Sequence, residues 1–318
     1  MFESTVGVDI SKKKFDVARL QNGRYRHKTF LNTNDGFAAF VDWLATFGSD
    51  PVLIVMEATG AYSTPLAKFL TDKGFFVSVV NPAQIRGFSQ SELSRAKTDK
   101  ADAKLIARYA REKQPPRWLP PPPVIHELQI MLRRVEQLME MLLMENNRLD
   151  TADPAALNSI QTLIAALEQE LKVVRAKIRA HIDADLELSR RRALLDSIPG
   201  IGEATIPHLL VLLSDYHGFL SPKQVVAFIG LAPNPNQSGQ SGNPHISKVG
   251  DAIFRKVFYM PAVSARKHNP IIKSFCDRLK AKSKKGKVII CAAMRKLIHL
   301  AFGILKSGKP FDPNFATS

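Results

Sequence analysis

Cysteine is nearly absent. Cys276 and Cys291, alone in 318 residues, exclude a disulfide framework and a cysteine-built zinc site, and both are expected as reduced thiols. No apolar run approaches the length of a membrane span. Neither a lipid-anchor motif nor a basic amphipathic terminus suggests a membrane partner. The opening MFESTVGVDISKKKF lacks the basic-then-apolar order of a secretion signal, so the chain is expected in the cytoplasm. The glycine-rich phosphate loops that an actin-like ATPase would carry beyond its first strand are also missing. Acidic residues are scarce toward the C-terminus. Between Ser221 and Pro310, 17 Lys and Arg face only Asp251 and Asp277, so nearly all of the +16 net charge sits there. Such a surface attracts polyanions by releasing their counterions, which makes nucleic acid the leading partner.

What is present is a foldable chain, 45% hydrophobic, long enough for several domains. Residues 1–118 alternate strand and helix signals. STVGVDIS reads as a strand, and FDVARLQ and RYRHKTFLN read as a hairpin about Asn22-Gly23. PVLIVMEATG and FFVSVVNP read as buried strands, separated by helical stretches. The pattern predicts a mixed sheet covered by helices. Residues 119–190 open on Pro120 to Pro123, a stiff extended linker. Two helices follow with a narrow apolar seam, Leu128, Leu132, Val135, Met139, Leu142, then Ile160, Ile164, Leu167, Leu171, Val174, Ile178, with Asn146 inside it. That spacing fits an intrachain hairpin or a dimerising coiled coil, and dimerisation is favoured because two helices alone have little core. Residues 191–318 are read as mainly helical. SIPGIGEATI reads as a helix–turn–helix hairpin whose glycines allow close approach to a phosphate.

Four carboxylates stand out by placement. Asp9 lies in the first strand, Glu57 ends a later one, and Asp99 and Asp102 share a helix face. A carboxylate on a buried strand is costly unless paired or metal-bound. Hard oxygen donors converging from two strands and a helix suit Mg²⁺ or Mn²⁺, the ions of phosphodiester chemistry. The order is that of RuvC-like nucleases within the ribonuclease-H-like class. Each residue alone has a plainer reading, Asp99 and Asp102 as favourable charges at a helix N-terminus. In the basic region, Lys248, Arg255, Lys256, Lys284, Lys285 and Lys287 are candidate phosphate contacts. Tyr62 and Trp118 are aromatic enough to stack on bases, though core packing is commoner.

The blocks GVDISKKKFDVA, EATGAY, VVNPAQIRGFSQS, KTDKADAKLIARYA, SIPGIGEAT, FIGLAPNPNQSGQSG, ISKVG and YMPA run in that order nearly end to end. They resemble the transposases of the insertion-sequence one-ten family, which are bridge-RNA-guided DNA recombinases. The resemblance implies a RuvC-like domain with its Asp-Glu-Asp-Asp set on Asp9, Glu57, Asp99 and Asp102, a coiled coil, and a transposase domain with a helix-hairpin-helix. It places a catalytic serine at Ser238, with Ser241 in a second, less constrained position. The serine would attack a DNA phosphodiester to form a covalent intermediate, with Mg²⁺ or Mn²⁺ on the carboxylates. Dimers would assemble into a tetramer on donor and target DNA, and a noncoding bridge RNA would pair with both. Only GNPH separates the serine pair from ISKVG, where relatives often carry a longer arginine-bearing stretch, so local phosphate contacts are open. A Holliday-junction resolvase would use the same acids without Ser238, and a plain DNA-binding protein would need neither.

Overall fold

The computed structural model describes residues 2–48, 50–92, 98–234, 245–246 and 250–314; for Ala61, Asn234 and His245 only the backbone is described. The chain divides into two compact units, Met1–Pro120 and Pro121–Ser318.

The first unit is a mixed α/β domain. Its elements run β1 (Ser4–Ile10), β2 (Lys14–Gln21), β3 (Arg24–Leu31), α1 (Asn34–Ala45), β4 (Val52–Glu57), α2 (Thr64–Asp72), β5 (Phe76–Val80), α3 (Pro82–Ser91) and α4 (Asp99–Lys113). The sheet order is β3-β2-β1-β4-β5. β1, β2 and β3 are antiparallel neighbours, and β1, β4 and β5 are parallel. Asn22 and Gly23 both have positive φ, which the two-residue hairpin turn requires. Helices cover both faces. Val6, Val8, Phe15, Val17, Ile54 and Met56 pack with Phe37, Phe40 and Leu66 of α1 and α2. Leu53 and Val55 pack with Ile85, Phe88, Leu105, Ile106 and Tyr109 of α3 and α4. Helix α3, absent from the sequence reading, starts where Asn81 accepts from the Ala83 amide and Pro82 takes the first helical position. Trp118 packs against the first of these cores, and its amide donates to the Val77 carbonyl.

The second unit is helical: α5 (Pro123–Leu149), α6 (Pro154–Ala184), α7 (Leu186–Asp196), α8 (Ile206–Leu212), α9 (Pro222–Phe228), the short pair β6 (Pro233–Asn234) and β7 (His245–Ile246), then α10 (Ala252–His268), α11 (Pro270–Ala281) and α12 (Gly286–Ser307). Helices α5 and α6 form an antiparallel hairpin, since His181 reaches the Val124 carbonyl at one end and Arg175 meets Met139 farther along. Leu128, Leu132, Val135, Leu167, Leu171, Val174 and Ile178 are buried in the seam as read. Farther out the seam shifts. Leu138 is buried while Met139 is exposed. Asn146 is exposed and its side chain bonds the Leu142 carbonyl. The buried place beside it belongs to Glu145, neutralised by Arg148. Apolar spacing misses that position because its occupant is charged. One apolar cluster runs from Ile125 through the C-terminal helices to Ile304, so the base of the hairpin and those helices share a core.

One expectation changes here. By length and composition α12 is apolar enough to span a membrane, contrary to the absence of such a run read from the sequence. It packs against α7, α9, α10 and α11, and Ile289, Ala293, Leu297, Ala301 and Ile304 lie in the core. In the SIPGIGEATI turn, Gly200 has φ +101°, and a Cβ there would fall 2.5 Å from the Ala265 Cβ. Its freedom serves close packing on α10, reinforced by the Asn269 side chain bonding the Pro199 carbonyl.

Candidate active site

The acidic set is assembled by the sheet and one helix. Asp9 follows Gly7 on β1, and Val8 pairs with Met56 on parallel β4. Asp9 and Glu57 are therefore the next residues along neighbouring strands, at the carboxyl ends where open α/β sheets place ligands. Both project toward the α4 face, since Thr5 on that side bonds the Ala107 carbonyl of α4 at 2.9 Å. Helix α4 lies directly on the β1 backbone. A Cβ on Gly7 would sit 2.2 Å from the Ala103 carbonyl oxygen and 2.3 Å from the Ala107 nitrogen. That contact fixes the first turn of α4, where Thr98 caps the helix and Asp99 and Asp102 stand.

The carboxylates sense one another. Burial, then Asp102, Asp99 and Asp16, push the Asp9 carboxyl from an ordinary 3.8 to about 6, against a smaller pull from Lys14. Burial, then Asp9 and Asp102, raise Glu57, with Arg86 opposing. Asp99 is held below the usual carboxylate range by its hydrogen bond from Lys14. Crowded, partly buried anions of this kind fit a hard divalent cation in donor chemistry and charge. As they stand, no three Asp, Glu, His or Cys side chains among the described residues are grouped to hold an ion, and Asp99 is engaged by Lys14 at 2.9 Å.

Asp16 was missed by sequence reasoning. It pairs with Asp9 across β1 and β2 and is 5% exposed. It accepts from Thr29 Oγ1 at 2.7 Å, lies 3.0 Å from His27 Nε2, and pairs with Lys14 Nζ at 3.3 Å. The signal was available. The Asn-Gly turn fixes the β2–β3 register, which sets Asp16 opposite Thr29 and puts His27 two places along the same face.

Ser238, Ser241 and Lys248 lie outside the described residues, but the chain on either side of the serine segment is brought together. Pro233 and Asn234 pair antiparallel with Ile246 and His245. Gly250, at φ +142°, has no room for a Cβ, which would fall 2.3 Å from the Phe228 carbonyl oxygen. Arg255 Nη1 donates to the carbonyls of both Ile229, at 2.8 Å, and Gly250, at 3.1 Å. Arg255, read from the sequence as a phosphate contact, thus ties these two strands of chain with one of its nitrogens. Lys256 is exposed on α10, and Lys284, Lys285 and Lys287 are exposed around the start of α12. Three ammonium groups at a helix N-terminus repel one another and the positive end of the dipole, and none has an ion-pair partner among the described residues. An anion such as a phosphate relieves both repulsions.

Residues 6–152 match the DEDD transposase family of IS110 elements, and residues 192–277 match the transposase family described as IS116/IS110/IS902. The chain is 32% identical over 317 residues to the pilin gene-inverting protein of Moraxella lacunata, covering 98% of each chain. It is 23% identical to the transposase for insertion sequence element IS1328 of Yersinia enterocolitica, covering 96% of this chain and 98% of that one. A 43.6 kDa protein of insertion element IS110 from Streptomyces coelicolor is 26% identical over 158 residues, 48% of this chain and 39% of that one.

Proposed function

The chain belongs to the IS110/IS116/IS902 family of transposases, enzymes that cleave and join DNA, and on that premise we propose that it is a serine recombinase assisted by a RuvC-like carboxylate site. Ser238 is the nucleophile. Its Oγ attacks a DNA phosphodiester, the hydroxyl proton departs, and one P–O bond to deoxyribose breaks as the serine–phosphate bond forms. The released deoxyribose oxygen takes a proton. Attack by a hydroxyl of the partner strand on the serine–phosphate bond reverses these changes and completes the exchange without loss of a phosphodiester.

Asp9, Glu57, Asp99 and Asp102 would hold Mg²⁺ or Mn²⁺, which when bound neutralises phosphate charge and favours ionised oxygen nucleophiles. The observation that carries this part is the placement of Asp9 and Glu57, half-buried side by side at the ends of β1 and β4, where Asp9 raises the Glu57 carboxyl and Asp102 raises both. The carboxylates belong to the first unit and the serine segment to the second. Gly250 and Arg255 support the serine assignment by closing the chain at the base of its segment. Lys248, Lys256, Lys284, Lys285 and Lys287 would hold phosphates of donor and target DNA. A noncoding bridge RNA would choose the sequences by base pairing, and the protein would act as a dimer that assembles into a tetramer. The full-length relatives compared above are named for gene inversion and transposition, not for junction resolution.

A second reading concerns the outcome of exchange. The pilin gene-inverting relative matches at higher identity, over essentially the full chain, than the insertion-element relatives do, which favours inversion of a DNA segment between fixed sites. A plasmid carrying candidate sites in inverted orientation separates excision from inversion. Recombination lost in Asp9→Asn, Glu57→Gln and Ser238→Ala supports the proposed chemistry, and undiminished recombination in Ser238→Ala overturns it.

A further inference from the structure

Lys14 stands apart from the other lysines of the first unit. Its ammonium bridges two carboxylates from different elements, Asp16 on its own strand at 3.3 Å and Asp99 of α4 at 2.9 Å. The two partners differ in character. Asp16 is buried and fixed from the other side by Thr29 and His27, so it cannot turn away. Asp99 is exposed on the first turn of α4 and free to rotate about its side-chain bonds. The bridge therefore sets the position of Asp99, drawing it toward the β2 edge of the acidic cluster. It also places a positive charge among the carboxylates Asp9, Asp16, Glu57, Asp99 and Asp102.

We propose that Lys14, anchored on the buried Asp16, is a positioning residue that holds Asp99 and competes with a divalent cation for the Asp99 carboxylate. The inference rests on the reading of these carboxylates as a metal site. With a divalent cation held by the carboxylates, Asp99 would give up the Lys14 ammonium, and Asp16 would keep Lys14 at the rim of the cluster.

The test is direct binding of Mn²⁺ to the full chain, read by the paramagnetic resonance of free Mn²⁺, with wild type, Lys14→Met, Lys14→Arg and Glu57→Gln. Removing the competing charge is expected to tighten Mn²⁺ binding about tenfold in Lys14→Met, while Lys14→Arg, which keeps charge and both acceptors, stays near wild type. Melting temperatures give a second readout. Saturating Mn²⁺ should raise that of Lys14→Met by more than it raises that of wild type. Unchanged or weaker binding in Lys14→Met overturns the inference. Failure of wild type to bind Mn²⁺, or undiminished binding in Glu57→Gln, overturns instead the metal reading on which it rests.

Discussion

Gly7 of β1 and Ala103 of α4 are in backbone contact so close that a Cβ on residue 7 would lie 2.2 Å from the Ala103 carbonyl oxygen. This contact brings the strand bearing Asp9 and the helix bearing Asp102 together. Asp102 adjoins Ala103, and Asp9 is two residues beyond Gly7, on the same sheet face.

Gly7→Ala should therefore push α4 off the sheet. The expected loss is about 3 kcal/mol, read by urea unfolding. Any stabilisation of the protein by Mg²⁺ should fall with it. Gly87→Ala is the control: that glycine is within α3 with nothing near its Cβ position, and alanine there should be neutral or stabilising by up to about 1 kcal/mol.

The raised Asp9 carboxyl has a definite sign in stability. Between an ordinary 3.8 and about 6 the folded chain holds a proton that the unfolded chain has released. The contribution of Asp9 is fully favourable below that window and is lost as pH rises through about 6. In EDTA at pH 8, Asp9→Asn should melt above wild type, and the difference should vanish near pH 4. Added Mg²⁺ should stabilise wild type and not the variant. A variant no more stable than wild type at pH 8 in EDTA contradicts the strain assigned to this carboxylate.

Arg255→Met removes the hydrogen bonds to Ile229 and Gly250. Charged-donor bonds of this kind contribute about 1.5–3 kcal/mol each when lost, so the melting temperature should fall by several degrees. DNA binding should persist while the yield of covalent protein–DNA adduct drops at least about tenfold, the interval that 1.4 kcal/mol spans. Equal loss of binding and adduct would return Arg255 to the phosphate-contact role read from the sequence.

The lysines at the start of α12 are tested by salt dependence. Replacing Lys284, Lys285 and Lys287 together by Gln should weaken DNA binding for every sequence alike. It should also reduce the slope of log K against log salt by about 3. An unchanged slope would mean that these ammonium groups stay solvated in the complex.

Much of this was legible in the residues. The Asn22-Gly23 turn and the apolar runs predicted β1 to β5 and their hairpin, and Asp99-x-x-Asp102 was correctly set at a helix start. Helix α3 was overlooked although Asn81 and Pro82 announce it, because its apolar positions, Ile85 and Phe88, are few. The seam of the α5–α6 hairpin was read correctly near its base and drifted beyond Val135, where a charged Glu145 fills a buried place. The Lys14–Asp99 bridge spans 85 residues of sequence, and the Arg255 tie depends on the chain returning at Gly250 to Ile229. Neither has a local pattern, because each depends on how distant segments pack.

The most direct test of the central claim is peptide mapping by mass spectrometry after trapping the protein on recombination-site DNA with Mg²⁺. The account predicts a nucleotide covalently attached to the peptide containing Ser238, absent in Ser238→Ala and in Asp9→Asn, and retained in Ser241→Ala. An adduct that survives in Ser238→Ala and disappears in Ser241→Ala, or DNA cleavage with no serine-linked nucleotide, would contradict it.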